Sequence, residues 1–242
     1  MTADQWAQAV REQVRMGRLL PLGGPRDGAW IAEAAAAAVL ARAVAAGVPQ
    51  VRLGALRIGL ADPEAAPEPA VPRPPGALPP GALRVTADFA ATAAEPLPAV
   101  AALLRGALAT AATGRLGLTV SEVDLRVTDL LDAGTTDTPA ERASRPTPAR
   151  APSDPDEARV AAAVLAVPGV TSLTGSAGGL LGGAVHLEQL TTEAALPHRH
   201  VRVELAASAD HRTLDVTHAV RTAVHTVLED RPTVAVVVTA VG

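Results

Sequence analysis

The chain has 242 residues, of which 48% are hydrophobic and only 1% aromatic, and its formal net charge at pH 7 is -4. It contains no cysteine, and all 21 basic residues are arginine. This composition excludes thiol nucleophiles, disulfides, cysteine-bound zinc, Schiff bases and a P-loop lysine. The negative charge and the lack of aromatic stacking surfaces argue against nucleic-acid binding. We therefore expect a globular protein with an aliphatic core.

A short amphipathic helix is predicted near the N-terminus. Trp6, Val10 and Val14 recur every four residues and form one stripe, which makes this helix a candidate contact surface as well as a cap on the core. The sequence lacks the basic flank and apolar region of a signal peptide, and no uncharged apolar run approaches 18 residues. We expect a cytoplasmic chain in which residues 1–27 form this helix and a lead-in.

One sequence pattern occurs twice along the chain. The string Ala-Ala-Ala-Val-Leu-Ala at 36–41 returns at 161–166, and the two copies continue to Gly47-Val48 and Gly169-Val170. In both copies a pair of strands, an amphipathic helix and a closing strand follow. The predicted order of elements is αββαβ, repeated once.

Hydrophobic periodicity locates the remaining elements of the two copies. Strands are predicted over 51–60, 83–89 and 123–127, and over 183–190, 201–207 and 234–238. Helices are expected to begin at Pro96 and Thr213. Their aliphatic stripes consist of Leu97, Val100, Leu104, Leu108 and Ala111 in the first copy, and of Val216, Val220, Val224, Val227 and Leu228 in the second.

We predict an α+β fold of two tandem αββαβ domains, each a small three-stranded sheet with two helices on one face. The first domain spans 28–132 and includes a Pro-rich loop at 61–81, and the second spans 154–242. Residues 133–153 mix Thr, Ser, Pro and Arg without apolar periodicity, which is typical of a flexible linker.

The closing strand of the second copy does not alternate. Residues 234–238 are apolar at every position, which predicts that both faces are buried, either by the other repeat or by a second molecule. We therefore expect pairing through this sheet. Val234, Val236 and Val238 join the N-terminal stripe as the candidate interaction surface.

The arrangement of these elements resembles the alkaline shock protein family of Gram-positive envelope stress response proteins. The second copy carries the resemblance best, in the run Arg159-Val160-Ala161-Ala162-Ala163-Val164-Leu165-Ala166-Val167-Pro168-Gly169-Val170. The resemblance implies a cytoplasmic, non-enzymatic protein that partner proteins hold at the membrane, with the usual single domain duplicated here. The absence of lysine and asparagine fits a high-GC Gram-positive bacterium.

The histidines raise the question of a metal site. All six lie in the second copy, where His198 and His200 share a strand and His218 and His225 share a helix. The two pairs lie on different elements, and a closed zinc site needs four converging ligands. Because spacing selects no Ser-His-Asp set either, we predict no metal, no cofactor and no catalytic residue.

A glycine-rich stretch is the alternative candidate site. Its backbone N–H groups can face an anion, and residues 179–182 match the GxxG of RNA-binding KH domains, although here they lie between a helix and a strand. The candidate anion loop consists of Gly175, Ser176, Gly178, Gly179, Gly182 and Gly183. The alternative would be favoured if a basic stripe converged beside this loop, formed by Arg199, Arg202, Arg212 and Arg221.

The sequence thus favours a non-catalytic cytoplasmic scaffold that acts through protein partners at the inner face of the membrane. The partners considered are a small membrane protein, a paralogue of the same family, and a second copy of the chain in a homodimer. The alternative is a KH-like module that binds nucleic acid or an anion. No DNA partner is expected, and an RNA partner is less expected than a protein.

Overall fold

The computed structural model describes residues 18–131, 149–175, 183–192 and 195–242. This part of the chain contains four α-helices and nine strands in two sheets, so the predicted mixed α+β class is confirmed. The first half contains β1 (Leu19–Leu22), β2 (Ala29–Ala32), α1 (Glu33–Gly47), β3 (Val51–Leu60), β4 (Leu83–Thr92), α2 (Leu97–Ala111) and β5 (Val120–Leu131). The second contains α3 (Pro155–Leu165), β6 (Val170–Leu173), β7 (Val185–Thr192), β8 (Ala195–Ala207), α4 (Thr213–Val227) and β9 (Thr233–Val241).

The strands form a small sheet and a large sheet. The small sheet has the order β3-β4-β5, with β4 antiparallel to β3 and parallel to β5. The large sheet has the order β1-β2-β9-β8-β6, and β7 also pairs with the long strand β8, on the edge that carries β6. The expectation of three strands in each sheet is therefore wrong for the large sheet, which has six.

β9 lies in the middle of the large sheet. It pairs in parallel with β8 on one side and with β2 on the other, and both α1 and α4 pack against it. All five residues from 234 to 238 are fully buried, as the continuous apolar run predicts. The strand that completes the sheet, β2, comes from the first half of the same chain.

The hydrophobic core is continuous through both halves of the described chain. Buried side chains of the small sheet, the large sheet and all four helices belong to one cluster. Trp30 on β2 is the largest fully buried side chain and lies opposite Val237 on β9. The predicted helical stripes also contribute, and their most buried members are Val100, Leu104 and Leu108 on α2, and Val216, Val220 and Val224 on α4.

The Pro-rich loop at 61–81 lies against β1, a strand that the sequence did not predict. The backbone N–H of Leu78 donates to the carbonyl of Leu19 at 2.8 Å, and Trp30 Nε1 donates to the carbonyl of Leu78 at 3.1 Å. The loop therefore covers the outer edge of the large sheet, which would otherwise present unpaired backbone groups. β1, β2 and β6 have four residues each, too few to show a period.

Gly117, which follows α2, packs against α4 of the second half of the chain. It follows the π-helical turn Ala112–Leu116 with a φ of +87°, and its carbonyl accepts a hydrogen bond from the N–H of Gly23 at 3.1 Å. A Cβ at this position would overlap the Cβ of Leu214 on α4. The left-handed backbone and the close approach both require glycine.

Replacing this glycine is expected to loosen the contact between the halves. Gly117→Ala should lower the free energy of unfolding by about 1 to 3 kcal/mol, because it adds backbone strain to the clash with Leu214. Gly114→Ala is the matched control, since no atom lies within 4 Å of its new Cβ. Urea denaturation of both variants tests the prediction, and equal losses of stability would contradict it.

Candidate functional site

The small sheet has one buried face and one open face. Alternate residues of β4 from Leu83 to Ala91 are buried. The open face carries ion pairs between β4 and β5: Arg84 Nε donates to Glu122 Oε2 at 2.6 Å, and Arg126 bonds both carboxylate oxygens of Asp88 at 2.8 and 2.9 Å. The hydrogen bonds from Arg126 hold the pKa of the Asp88 carboxyl below its ordinary value. This face is therefore charged, ordered and accessible.

Two side chains close the outer edge of β3. Glu33 Oε1 accepts a hydrogen bond from the backbone N–H of Ile58 at 3.0 Å, and Arg18 Nη2 donates to the carbonyl of Ile58 at 2.8 Å. Glu33 is buried, and its second carboxylate oxygen lies 3.6 Å from Arg18 Nε. Near the end of β3, the pair therefore occupies the backbone groups of Ile58 that another strand would need there.

The bonding of Ile58 fixes the direction of the hydrogen bonds along β4. Ile58 lies opposite Val85, and because its N–H and C=O point away from β4, the two residues form a non-hydrogen-bonded pair. The N–H and C=O of Val85 therefore point towards β5. Leu83, two residues earlier, points the same way, since its N–H donates to the carbonyl of Thr119 at 2.7 Å.

The same alternation shows which groups of β5 are free. In a parallel pair, a residue that points at the neighbouring strand bonds to the residues on either side of its partner. Val85 is the partner of Val123, so the N–H and C=O of Val123 point away from β4. Leu125 and Val127, at steps of two, follow the same rule. Arg105 on α2 reaches the carbonyl of Val123 from this open side, at 3.3 Å.

We call this the β5 edge: the outward backbone groups of Val123, Leu125 and Val127 with the side chains around them. No strand in the described part of the chain pairs with it, although β5 has twelve residues. The side chain of Val127 is 41% exposed, and those of Val123 and Leu125 are half-buried. A long unpaired strand with exposed apolar side chains is a template for strand addition.

The sequence-predicted interaction surface lies elsewhere. Val234, Val236 and Val238 are fully buried in β9, and both edges of β9 are already paired. These valines therefore contribute to the core, and β2, from the first half of the chain, takes the place for which the sequence allowed either the other repeat or a second molecule. Trp6, Val10 and Val14 lie outside the described residues.

The candidate anion loop is described only at its two ends. Gly175 follows Thr174, whose hydroxyl lies 2.8 Å from that of Thr239, and Gly183 forms an isolated bridge with Arg150. Ser176, Gly178, Gly179 and Gly182 lie outside the described residues.

The arginines that would form a basic stripe are each bound separately. Arg199 pairs with Asp156 and Asp230, and Arg202 Nε lies 3.6 Å from Glu204 Oε1. Two carboxylates thus offset the charge of Arg199, and one carboxylate lies beside Arg202. Arg212 donates to the Asp215 carboxylate and to the Thr113 carbonyl. Arg221 donates to the carbonyls of Arg26 and Asp27.

The histidine pairs do not converge. His200 is buried with Nδ1 at 2.8 Å from Thr233 Oγ1, whereas His218 Nε2 lies 2.9 Å from Asp27 Oδ1 and His225 Nε2 lies 3.0 Å from the Pro232 carbonyl. Within the described ranges, no three His, Cys, Asp or Glu side chains come close enough together to hold a metal ion.

An open cleft of about 750 Å³ lies between α4, the turn after β1 and the Pro-rich loop. Arg26, Arg221 and Arg231 line it together with His225. Arg221 is half-buried, and its Nη1 atom donates to two carbonyls of the turn, at 3.0 Å and 2.6 Å. This guanidinium therefore holds the turn against α4.

No protein-family model matches the chain, and no curated protein matches it. The helical stretch Leu97–Leu116 has the length and composition of a membrane span, with a mean hydropathy of 1.3. Buried core helices satisfy the same criterion, and Val100, Leu104 and Leu108 of this stretch belong to the core.

The closed edge of β3 should depend on the Glu33 carboxylate. Glu33→Ala leaves the N–H of Ile58 without its acceptor in a buried position, so we expect a loss of about 1 to 3 kcal/mol in the free energy of unfolding. Glu33→Gln keeps an acceptor oxygen and should retain most of the stability. Urea denaturation distinguishes the two, and equal stabilities would show that the hydrogen bond contributes nothing.

Burial should also make stability depend on pH. It lowers the pKa of His200 and of His186, and the charge of Arg202 acts in the same direction on both. The unfolded chain binds protons below about pH 6.5 that the folded chain does not bind, so stability should fall as pH decreases from 6.5 towards the folded values. His200→Gln should flatten this slope relative to that of the wild type. Urea denaturation at several pH values measures both slopes.

Proposed function

We propose that this chain is a non-catalytic scaffold that binds other proteins by strand addition at the β5 edge. The observation that carries the proposal is the direction of the backbone groups of Val123, Leu125 and Val127, which point away from β4 along an exposed strand. At the other edge of the same sheet, Glu33 and Arg18 occupy the backbone groups of Ile58. The β5 edge offers a row of outward donors and acceptors on three alternate residues.

The two αββαβ segments support the proposal if they are copies of one domain, which we propose for residues 28–132 and 154–242. In both, the central strand is antiparallel to the strand before it and parallel to the closing strand. The closing strand of the second segment, β9, takes up a further strand, β2, on its outer side. The corresponding side of β5 is the open edge.

The cellular setting that we propose follows the resemblance to alkaline shock proteins. In it, the chain is cytoplasmic and is recruited to the inner face of the membrane by a protein partner in an envelope stress response. The paired states of Arg199, Arg202, Arg212 and Arg221 give no support to the alternative, an anion-binding or KH-like module.

Proline at the β5 edge tests strand addition. Val127→Pro removes an outward N–H without removing a bond to β4, so the fold should persist, since edge strands tolerate proline in this orientation. Val127→Thr keeps the N–H and the shape of the side chain. Crosslinking in a lysate of the native host, with mass spectrometry to locate the crosslinked residues, should find partners at β5 for wild type and Val127→Thr and lose them for Val127→Pro.

Two outcomes would contradict strand addition at β5. If a folded Val127→Pro variant, checked by thermal unfolding, keeps the same crosslinks, strand addition at β5 is wrong. Crosslinks that concentrate on other described strands would have the same meaning.

A further inference from the structure

We propose that the strand added to the β5 edge is β5 of a second copy of this chain, in an antiparallel pair about a twofold axis at Leu125. The inference rests on the proposed function and names the partner. Residues 122–128 read Glu-Val-Asp-Leu-Arg-Val-Thr. A valine lies two residues before Leu125 and another two residues after it. Asp124 directly precedes Leu125, and Arg126, with the opposite charge, directly follows it. Such a strand is complementary to itself, which a symmetric dimer requires.

The hydrogen-bonding groups satisfy the same symmetry. With the axis at Leu125, the two copies of Leu125 face each other, and Val123 of one copy faces Val127 of the other. All of these residues direct their N–H and C=O groups away from β4, as the pairing of Ile58 and Val85 determines. Residues with outward groups therefore meet only residues with outward groups, and the antiparallel ladder can close. Arg105 would give up its bond to the carbonyl of Val123.

The charges on the open face then alternate across the interface. Asp124 of each copy lies opposite Arg126 of the other. Within one copy Arg126 is already held by Asp88, and Asp124 lies 3.6 Å from Arg84 Nε. Across the dimer, four charged side chains therefore lie side by side on the open face: Asp88 and Arg126 of one copy, then Asp124 and Arg84 of the other. Each arginine in this row has at least one aspartate as its neighbour. Opposite charges that face each other across strands stabilise a sheet.

Each neighbouring register sets two like charges opposite each other at its centre. A shift of the pairing by two residues in one direction places Asp124 opposite the second Asp124, although it also sets Glu122 of each copy opposite Arg126 of the other. A shift in the other direction places Arg126 opposite the second Arg126. Like charges directly opposite each other destabilise a strand pair. Of these three registers, only the one centred on Leu125 sets no like charges directly opposite each other.

The apolar side of the interface favours the same pairing. Val123, Leu125 and Val127 alternate with the charged residues and lie on the helix-covered side of the sheet, where Val127 is 41% exposed. Pairing brings Val127 of one copy beside Val123 of the other, twice, around the central leucines. The two small sheets become one sheet of six strands whose outer strands are the two copies of β3, each bound at Ile58 by Glu33 and Arg18.

Charge reversal at the two symmetry-related positions tests the proposal in the full-length chain. Wild type is expected to be a dimer by analytical ultracentrifugation. Asp124→Arg sets Arg against Arg, and Arg126→Asp sets Asp against Asp, so each variant alone should raise the dimer dissociation constant by about tenfold or more. An equimolar mixture of the two variants should dimerise again. In the mixed dimer the arginine introduced in one variant faces the aspartate introduced in the other, and the unchanged Arg126 of the first faces the unchanged Asp124 of the second.

Matched controls carry the same changes in charge away from the β5 edge. Arg57→Asp on β3 and Glu68→Arg in the Pro-rich loop alter exposed residues and should leave the dimer intact. Circular dichroism of every variant shows whether it is folded, and recovery of dimer in the mixture itself requires two folded chains.

The inference is overturned if wild type is a monomer at about 100 µM, well above the micromolar range of ordinary complexes, or if either single variant dimerises as wild type does. A mixture that stays monomeric overturns it as well. If wild type is a monomer while Val127→Pro still abolishes crosslinks to a different protein, this inference fails and the proposed function stands. If the dimer forms and Val127→Pro does not weaken it, strand addition at β5 fails.

Discussion

The parallel pairing of β2 with β9 is the contact on which the rest of the structure depends. Residues 234–238 of β9 are all apolar, and one side of the strand is occupied by β8 from its own half. If β2 did not occupy the other side, the backbone groups of that edge would lack partners in an apolar setting. The pairing also places Trp30 and the start of α1 against the large sheet. One core then serves both halves.

The two closing strands show how side-chain pattern decides whether an edge is used inside the chain or left open. β9 is apolar on both faces and becomes a central strand, while β5 alternates between charged and aliphatic residues and stays at the margin. A strand with one charged face cannot be covered on that face without a large desolvation penalty. The edge of β5 can nevertheless be extended sideways, since extension leaves the charged face in water.

Much of this fold could be predicted from the sequence, because periodicity reports burial. The stripe Val100, Leu104 and Leu108 and the alternation through Val85 and Phe89 follow directly from one buried face each. Burial does not identify the covering element, so the apolar run in β9 leaves open whether the other repeat or a second molecule covers it. The occupant, β2, has four residues and no readable period. The closure of β3 by Glu33 is equally invisible, since it joins residues 25 apart through a side chain.

The candidate site was missed for a related reason. The alternation of β5 predicts an ordinary surface strand, and the orientation of its backbone groups is set by the contacts of Ile58, two strands away. The registers of β3 with β4 and of β4 with β5 must both be known before the outward N–H and C=O groups of β5 can be identified. A symmetric charge pattern around Leu125 was present in the sequence, but it gains meaning once the outward residues are known.

The place of β2 beside β9 also has a consequence for biosynthesis. β2 pairs with β9, which lies far from it along the sequence, and Arg42 bonds the Val241 carbonyl across 199 positions. Contacts of such long range form slowly and only after most of the chain exists. During translation, α1 and the hairpin of β1 and β2 therefore remain without their partner until β9 leaves the ribosome. Nascent chains with exposed apolar surface of this kind are natural clients for chaperones.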